Sequence, residues 1–140
     1  MIKSRTSCLC LLGTMLVCAM GCQQSPLGAE VAGVVTLDGK QLDSGSIVFT
    51  PSEGQGNNAF GAVDASGSYF LKSNRTIGLA PGKYKASVAA YERVEVAPGE
   101  RSMIEPKLIT PQKYRDINSS GLEFEVVPGQ NSINIELSSQ

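Results

Sequence analysis

The only thiols in this 140-residue chain are Cys8, Cys10, Cys18 and Cys22, and the chain contains no histidine. A serine or cysteine nucleophile commonly works beside an imidazole base, so those two designs are absent. Neither Ser-x-x-Lys nor Gly-x-Ser-x-Gly occurs. No glycine-rich loop leads into a helix, so nothing here cradles a phosphate. Carboxylate pairs remain, because two carboxyl groups can share acid and base work. Glu123 and Glu125 stand two apart in LEFEVV, where alternation puts both on the outward face of a strand, as ordinary solvated surface. Asp38-Gly39 and Asp64-Ala65-Ser66-Gly67-Ser68 are acidic turns. Calcium needs about six to eight oxygens, and one aspartate per turn is too few. An aspartate that bonds its own backbone to set the turn accounts for both. No catalytic residue, metal or cofactor is expected.

The cysteines carry a different chemistry. Residues 1–6 hold Lys3 and Arg5, and residues 8–20 (CLCLLGTMLVCAM) are apolar or small throughout. That is the layout of a signal peptide, with a helical apolar segment too short for a bilayer span of about 20 residues. Ala19-Met20-Gly21-Cys22 follows directly and resembles the bacterial lipobox. The reading is a signal peptide over 1–21, removed on export, with Cys22 as the acylated first residue of the mature chain. The alternative is an ordinary secretory signal with an incidental cysteine. Cys8, Cys10 and Cys18 leave with the leader, so the mature chain has no disulfide. Each buried CH₂ of an acyl chain contributes about 0.8 kcal/mol to membrane attachment. Residues 22–29 then form a short tether to a domain over 30–140. The lipid of a cell membrane or outer membrane is thus an expected partner, and the domain is expected to face the periplasm or the cell surface.

The elements that follow read as strands. Residues 30–37 (EVAGVVTL), 45–50 (GSIVFT), 59–63, 68–72 (SYFLK), 83–91 (KYKASVAAY), 122–127 (LEFEVV) and 132–137 (SINIEL) alternate apolar and polar positions. Gly, Pro, Asp and Asn separate them. The expected fold is all-β, an antiparallel sandwich of about seven strands, with 122–127 and 132–137 pairing as a terminal hairpin. The expected core is Val31, Val35, Leu37, Ile47, Phe49, Tyr69, Leu71, Tyr84, Ala86, Val88, Leu122, Phe124, Val126, Ile133, Ile135 and Leu137. Lys and Arg number 12 against 13 Asp and Glu. Without Lys3 and Arg5 the balance is 10 against 13, a formal charge of −3. No basic patch marks a nucleic-acid surface.

Val31-x-Gly33-x-Val35-Thr36-Leu37-Asp38-Gly39-Lys40, then Leu42, Gly45 and Phe49-Thr50-Pro51, resembles the opening of transthyretin-like, carboxypeptidase regulatory-like domains. Asp64-x-x-Gly67-x-Tyr69-x-Leu71 and Ala80-Pro81-Gly82-Lys83-Tyr84 are similar to their later hairpins. Thr110-Pro111-Gln112-Lys113-Tyr114 and Ser119-Ser120-Gly121-Leu122 are similar to the closing stretch of small planctomycete envelope lipoproteins. The resemblance covers roughly residues 30–138 and implies a prealbumin-like or immunoglobulin-like sandwich, typically a non-catalytic accessory. It carries no catalytic site with it.

Residues 94–121 stand apart, since the segment is long, irregular and holds Pro98, Pro106 and Pro111. Long irregular segments in compact domains are often functional. Arg93, Arg101, Lys107, Lys113, Tyr114 and Arg115 gather basic character there. Lys113, Tyr114 and Arg115 offer a contact for an acidic or sugar partner, because Tyr and Arg dominate binding hot spots. The competing reading is that Tyr114 plugs the edge of the sandwich. Two classes of function follow. One is a non-catalytic, membrane-anchored envelope module that binds a protein or polysaccharide or has a structural role. The other is an envelope hydrolase or transferase with a carboxylate site.

Overall fold

A computed structural model describes residues 26–53, 56–99 and 103–140. Residues 1–25, with the signal segment, Cys22 and most of the tether, lie outside the described residues. The fold is an all-β sandwich of two sheets. Strand β1 (Ala29–Leu37) is the spine of the first sheet. It closes on β2 (Lys40–Gln41) through a two-residue turn, with Leu37 opposite Lys40. Asp38 and Gly39 take φ of 50° and 79° there. Such a doubly left-handed turn matches strand twist and favours Asp-Gly.

The second sheet runs in the order β7 (Thr76–Ile77), β6 (Lys72–Ser73), β4 (Ala59–Val63), β3 (Gly45–Pro51), β8 (Gly82–Ala89) and β9 (Leu122–Val126). Its pairings are antiparallel. In the first sheet, β5 (Ser68–Phe70) lies antiparallel to β1, with Gly33 opposite Tyr69. The run 68–72 is therefore one strand in sequence and two in space. It leaves the first sheet after Phe70, inserts Leu71 into the core with its N–H on the Val31 carbonyl (2.9 Å), and enters the second sheet at Lys72.

The terminal hairpin does not form. β9 pairs with β8, whereas β10 (Gly129–Ser132) and β11 (Ile135–Leu137) run parallel to β1 in the other sheet. The first sheet is accordingly mixed rather than antiparallel. Asn131 shows why the chain crosses instead of turning back. Its Oδ1 accepts from the Val127 N–H (2.9 Å), and its Nδ2 donates to the carbonyls of Val127 (2.8 Å), Gly129 (3.1 Å) and Glu30 (3.2 Å). One side chain thus satisfies backbone groups that a hairpin ladder would otherwise use. Between β10 and β11 the chain bulges over Gly33, where Asn134 Oδ1 takes the Val34 N–H (3.1 Å) in place of a ladder partner. Interruptions of this kind give eleven strand segments among the described residues instead of about seven.

Every residue of the expected core is buried or packs on the core, with Leu37, Leu122, Phe124 and Ile133 half-buried. Phe49 is its centre, edge-on to Tyr84 (6.2 Å, 86°) and Phe124 (5.4 Å, 75°). Ala29, Leu42, Ala59, Val63, Leu79, Ala90 and Tyr114 complete it.

The registers give the sandwich two distinct ends. At the first, Ala29 and Leu79 exchange backbone hydrogen bonds (3.1 and 2.9 Å), and the Gly129 N–H donates to the Gly28 carbonyl (2.9 Å). Gly82 lies opposite Val126 at that same end. At the second end the Ser139 N–H donates to Asp38 Oδ1 (3.0 Å), and Ser44 Oγ to the Tyr91 carbonyl (3.3 Å). The nine residues of β1, at about 3.3 Å each, separate the ends by about 30 Å.

Candidate functional site

The segment 94–121 divides into a stitched part and an exposed part. Residues 108–121 are sewn to β8 and the C-terminal residues. Tyr91 and Leu108 form a bridge, the Ile109 N–H donates to the Ala90 carbonyl (2.8 Å), and the Ala90 N–H donates to Thr110 Oγ1 (3.2 Å). A 3-10 turn (Gln112–Arg115) follows Pro111. Pro111 is its N-cap, with extended backbone, and its carbonyl accepts the Tyr114 N–H (3.0 Å). Ser120 Oγ then donates to the Ala86 carbonyl (2.6 Å).

The three residues of the expected contact cluster do not face outward together. Tyr114 is 6% exposed and belongs to the core. Its hydroxyl accepts the Ser138 N–H (3.1 Å), tying the turn to the C-terminal residues. Lys113 Nζ lies 4.9 Å from the Tyr114 ring centre and donates to the Gln140 carbonyl (2.6 Å). Arg115 donates to Gln112 Oε1 (3.3 Å) and borders an open hollow of about 460 Å³ against Val48, Thr50 and Ser87. Tyr114 therefore closes the edge of the sandwich. An aromatic residue just after Pro111 is as good a core plug as a hot spot, and sequence pattern does not separate the two.

Residues 94–99 and 103–107 follow β8 at the second end of the sandwich and, apart from the half-buried Val94, are exposed. The Glu92 N–H on the Lys107 carbonyl (2.8 Å) closes the neck, where Arg93 and Lys107 are both exposed. Beyond the neck Val96, Met103 and Ile104 are 45%, 97% and 70% exposed. These apolar side chains were missed in favour of the basic ones. The signal was present, as Met103-Ile104 is an apolar pair between Glu100-Arg101-Ser102 and Glu105-Pro106-Lys107.

The carboxylates stay on the surface. Glu123 and Glu125 alternate with Leu122 and Phe124, which turn inward. Glu123 meets Lys85 at 3.7 Å, Glu53 meets Lys83 at 3.8 Å, and Glu125 lies opposite Lys83 in register. Asp64 sets its turn as expected. Its Oδ1 accepts from the Ser66 N–H (2.8 Å), the Ser66 hydroxyl (2.6 Å) and the Ser68 N–H (3.1 Å). Bonds from Ser66 hold that carboxyl below the usual carboxylate range, and those from Ser139 do the same for Asp38. Burial pushes the Tyr69 and Tyr84 phenols up. Both are neutral donors, Tyr69 to the Ile133 carbonyl (2.7 Å) and Tyr84 to the Ala80 carbonyl (2.8 Å). Among the described residues no three of His, Cys, Asp and Glu gather closely enough to hold a metal ion.

No family model, curated protein or solved structure matches this chain.

Proposed function

We propose that this protein is an exported, lipid-anchored envelope module without catalytic activity, which binds an envelope protein or polysaccharide through residues 94–107. The observation that carries the reading is the polarity of the sandwich. The chain coming from Cys22 joins β1 at one end, and the loop leaves from the other, about 30 Å away. A module tethered at one end presents its opposite end to whatever lies off the membrane. Exposed apolar side chains at a loop tip suit recognition, since binding energy concentrates in a few such anchors. The resemblance to transthyretin-like accessory domains points the same way.

Two measurements test this. Mass spectrometry of the membrane fraction should find an acyl-modified Cys22 at the mature N-terminus, and Cys22→Ser should remove that modification. A photo-crosslinking amino acid at Met103 should capture a specific envelope component in living cells, and the same group at Glu125 should not. Equal capture from both positions, or none from Met103, refutes the loop as the recognition surface.

A further inference from the structure

The flank of the sandwich beside the incoming chain carries an exposed apolar cluster that the core does not use. Phe60, Phe70 and Ile77 are 55%, 50% and 52% exposed. They come from β4, β5 and β7, and the sheet-changing run 68–73 brings them together. Phe70 lies opposite Ala32 on β1, and Phe60 lies opposite Lys72 on β6. Two open hollows of about 750 and 570 Å³ flank Phe70, the first shared with Ile77 and Glu30, the second with Phe60, Lys72 and Arg75. Contiguous exposed apolar surface of this kind marks an interaction site.

The surrounding charge says what kind. Lys72 Nζ lies 4.8 Å from the Phe70 ring centre. Arg75 stands at the tip of the turn joining β6 and β7, where Asn74 and Arg75 have φ of 49° and 68°. That conformation is disfavoured for a residue with a Cβ, and here it presents a guanidinium at the rim of the patch. Neither cation has an ion-pair partner among the described residues, whose pairs are Lys83–Glu53 and Lys85–Glu123. Glu30 is the one acidic residue bordering the two hollows. The cluster is thus net cationic in a chain whose overall charge is slightly negative.

Its position adds the rest. Ile77 is two residues from Leu79, which pairs with Ala29 where the chain joins β1. The seven residues 23–29 reach at most about 25 Å from Cys22. We infer that Phe60, Phe70 and Ile77, framed by Lys72 and Arg75, form a docking face for an anionic bilayer beside the tethered end, so that the opposite end, where the chain leaves at Glu92 and returns at Lys107, points off the membrane. Aromatic rings settle at the headgroup boundary, and basic residues beside them draw anionic lipid. This inference rests on the lipid-anchor reading.

The chain has no tryptophan, so one inserted indole reports a single site. Acylated protein carrying Phe70→Trp, and separately Met103→Trp, is reconstituted into vesicles of phosphatidylcholine mixed with phosphatidylglycerol and bearing brominated acyl chains. Flotation with the vesicles reports the anchor, and bromine quenching reports docking. The Phe70→Trp emission should shift to the blue and be quenched, and the Met103→Trp emission should not. Phe60→Trp reads the same face from a second, equally exposed position. Adding Lys72→Gln and Arg75→Gln should lower the docking equilibrium about 30-fold, at about a fivefold loss per basic residue near an anionic surface. Vesicles that float with an unquenched Phe70→Trp reporter overturn the docking face and leave the anchor standing. Quenching of both reporters overturns the orientation. A blue shift that grows with protein density but resists bromine shows a second copy on the face and overturns the bilayer as its occupant. Loss of flotation overturns the anchor and the docking face with it.

Discussion

Replacing Gly33 by alanine should nearly unravel the seam between the first and last strands. Gly33 is the point on β1 where the bulge between β10 and β11 passes overhead. A Cβ built there comes 2.6 Å from the Ile133 carbonyl carbon and 3.2 Å from the Tyr69 ring, and it overlaps the Ile133 carbonyl oxygen. Carbon atoms in contact rest at about 3.5–4.0 Å, so the backbone at Ile133 must retreat by about 1 Å. It is held by three hydrogen bonds: Tyr69 Oη to the Ile133 carbonyl (2.7 Å), the Ile133 N–H to the Ala32 carbonyl (2.9 Å), and the Val34 N–H to Asn134 Oδ1 (3.1 Å). At about 1 kcal/mol each, losing them costs about 3 kcal/mol. The gain in strand propensity from Gly to Ala offsets a few tenths of that. For a domain with about 5–15 kcal/mol of stability this is a large fraction. Urea denaturation followed by far-ultraviolet circular dichroism should show the midpoint falling by about 1–3 M, for a slope of about 1–3 kcal/mol per molar. A midpoint within a few tenths molar of wild type would mean that the bulge moves freely and that Gly33 is not a fixed crossing point.

Dissection of the 3-10 turn should separate its core residue from its surface ones. Tyr114→Ala should cost about 3–5 kcal/mol in urea denaturation, as for other large buried rings, whereas Lys113→Ala and Arg115→Ala should each stay within about 0.5 kcal/mol. Alkaline conditions should weaken the fold through Tyr69. Its phenol is raised by burial, so the stabilisation is complete below the ordinary tyrosine pKa of about 10 and is lost as pH climbs past it; Tyr69→Phe should flatten that limb of a midpoint-against-pH curve. Acid should act on Asp64 with the opposite sign. Its carboxyl is depressed by bonds from Ser66, so its contribution is present above the ordinary aspartate pKa of about 3.9 and fades as pH falls through the lower folded value. Asp64→Ala should make the midpoint less sensitive to pH across that window.

Alternation of apolar and polar residues was enough to place most strands and all sixteen expected core positions, because a buried face imposes a two-residue period whatever the neighbour. Pairing partners were not legible. LEFEVV and SINIEL alternate identically whether they meet each other or opposite sheets, and what decides between these is Asn131, a residue that looks like part of a turn. The β6–β7 turn was hidden for a local reason: Asn74 suits a left-handed position, but Arg75 stands where glycine would have announced it. Tyr114 was ambiguous because a tyrosine serves equally as plug and as anchor until its surroundings are known. Phe60 and Phe70 lie on strands whose period fitted, so nothing in the pattern showed that their outward neighbours in space are one another.

Because β1 is both the first strand of the domain and the parallel partner of the last two, the fold has a time order. As the chain emerges N-terminus first, β1 finds β2 and β5 early, on one of its edges. Its other edge has no partner until residues 129–137 appear, close to a hundred positions later. Pairings at such sequence separation are slow to form, since loop closure must be completed before any contact rewards it. Through that interval β1 offers an open strand edge, rich in valine, to any other chain. The sandwich is therefore sealed by residues 129–137, and a product cut short before Gly129 would leave that edge of β1 open.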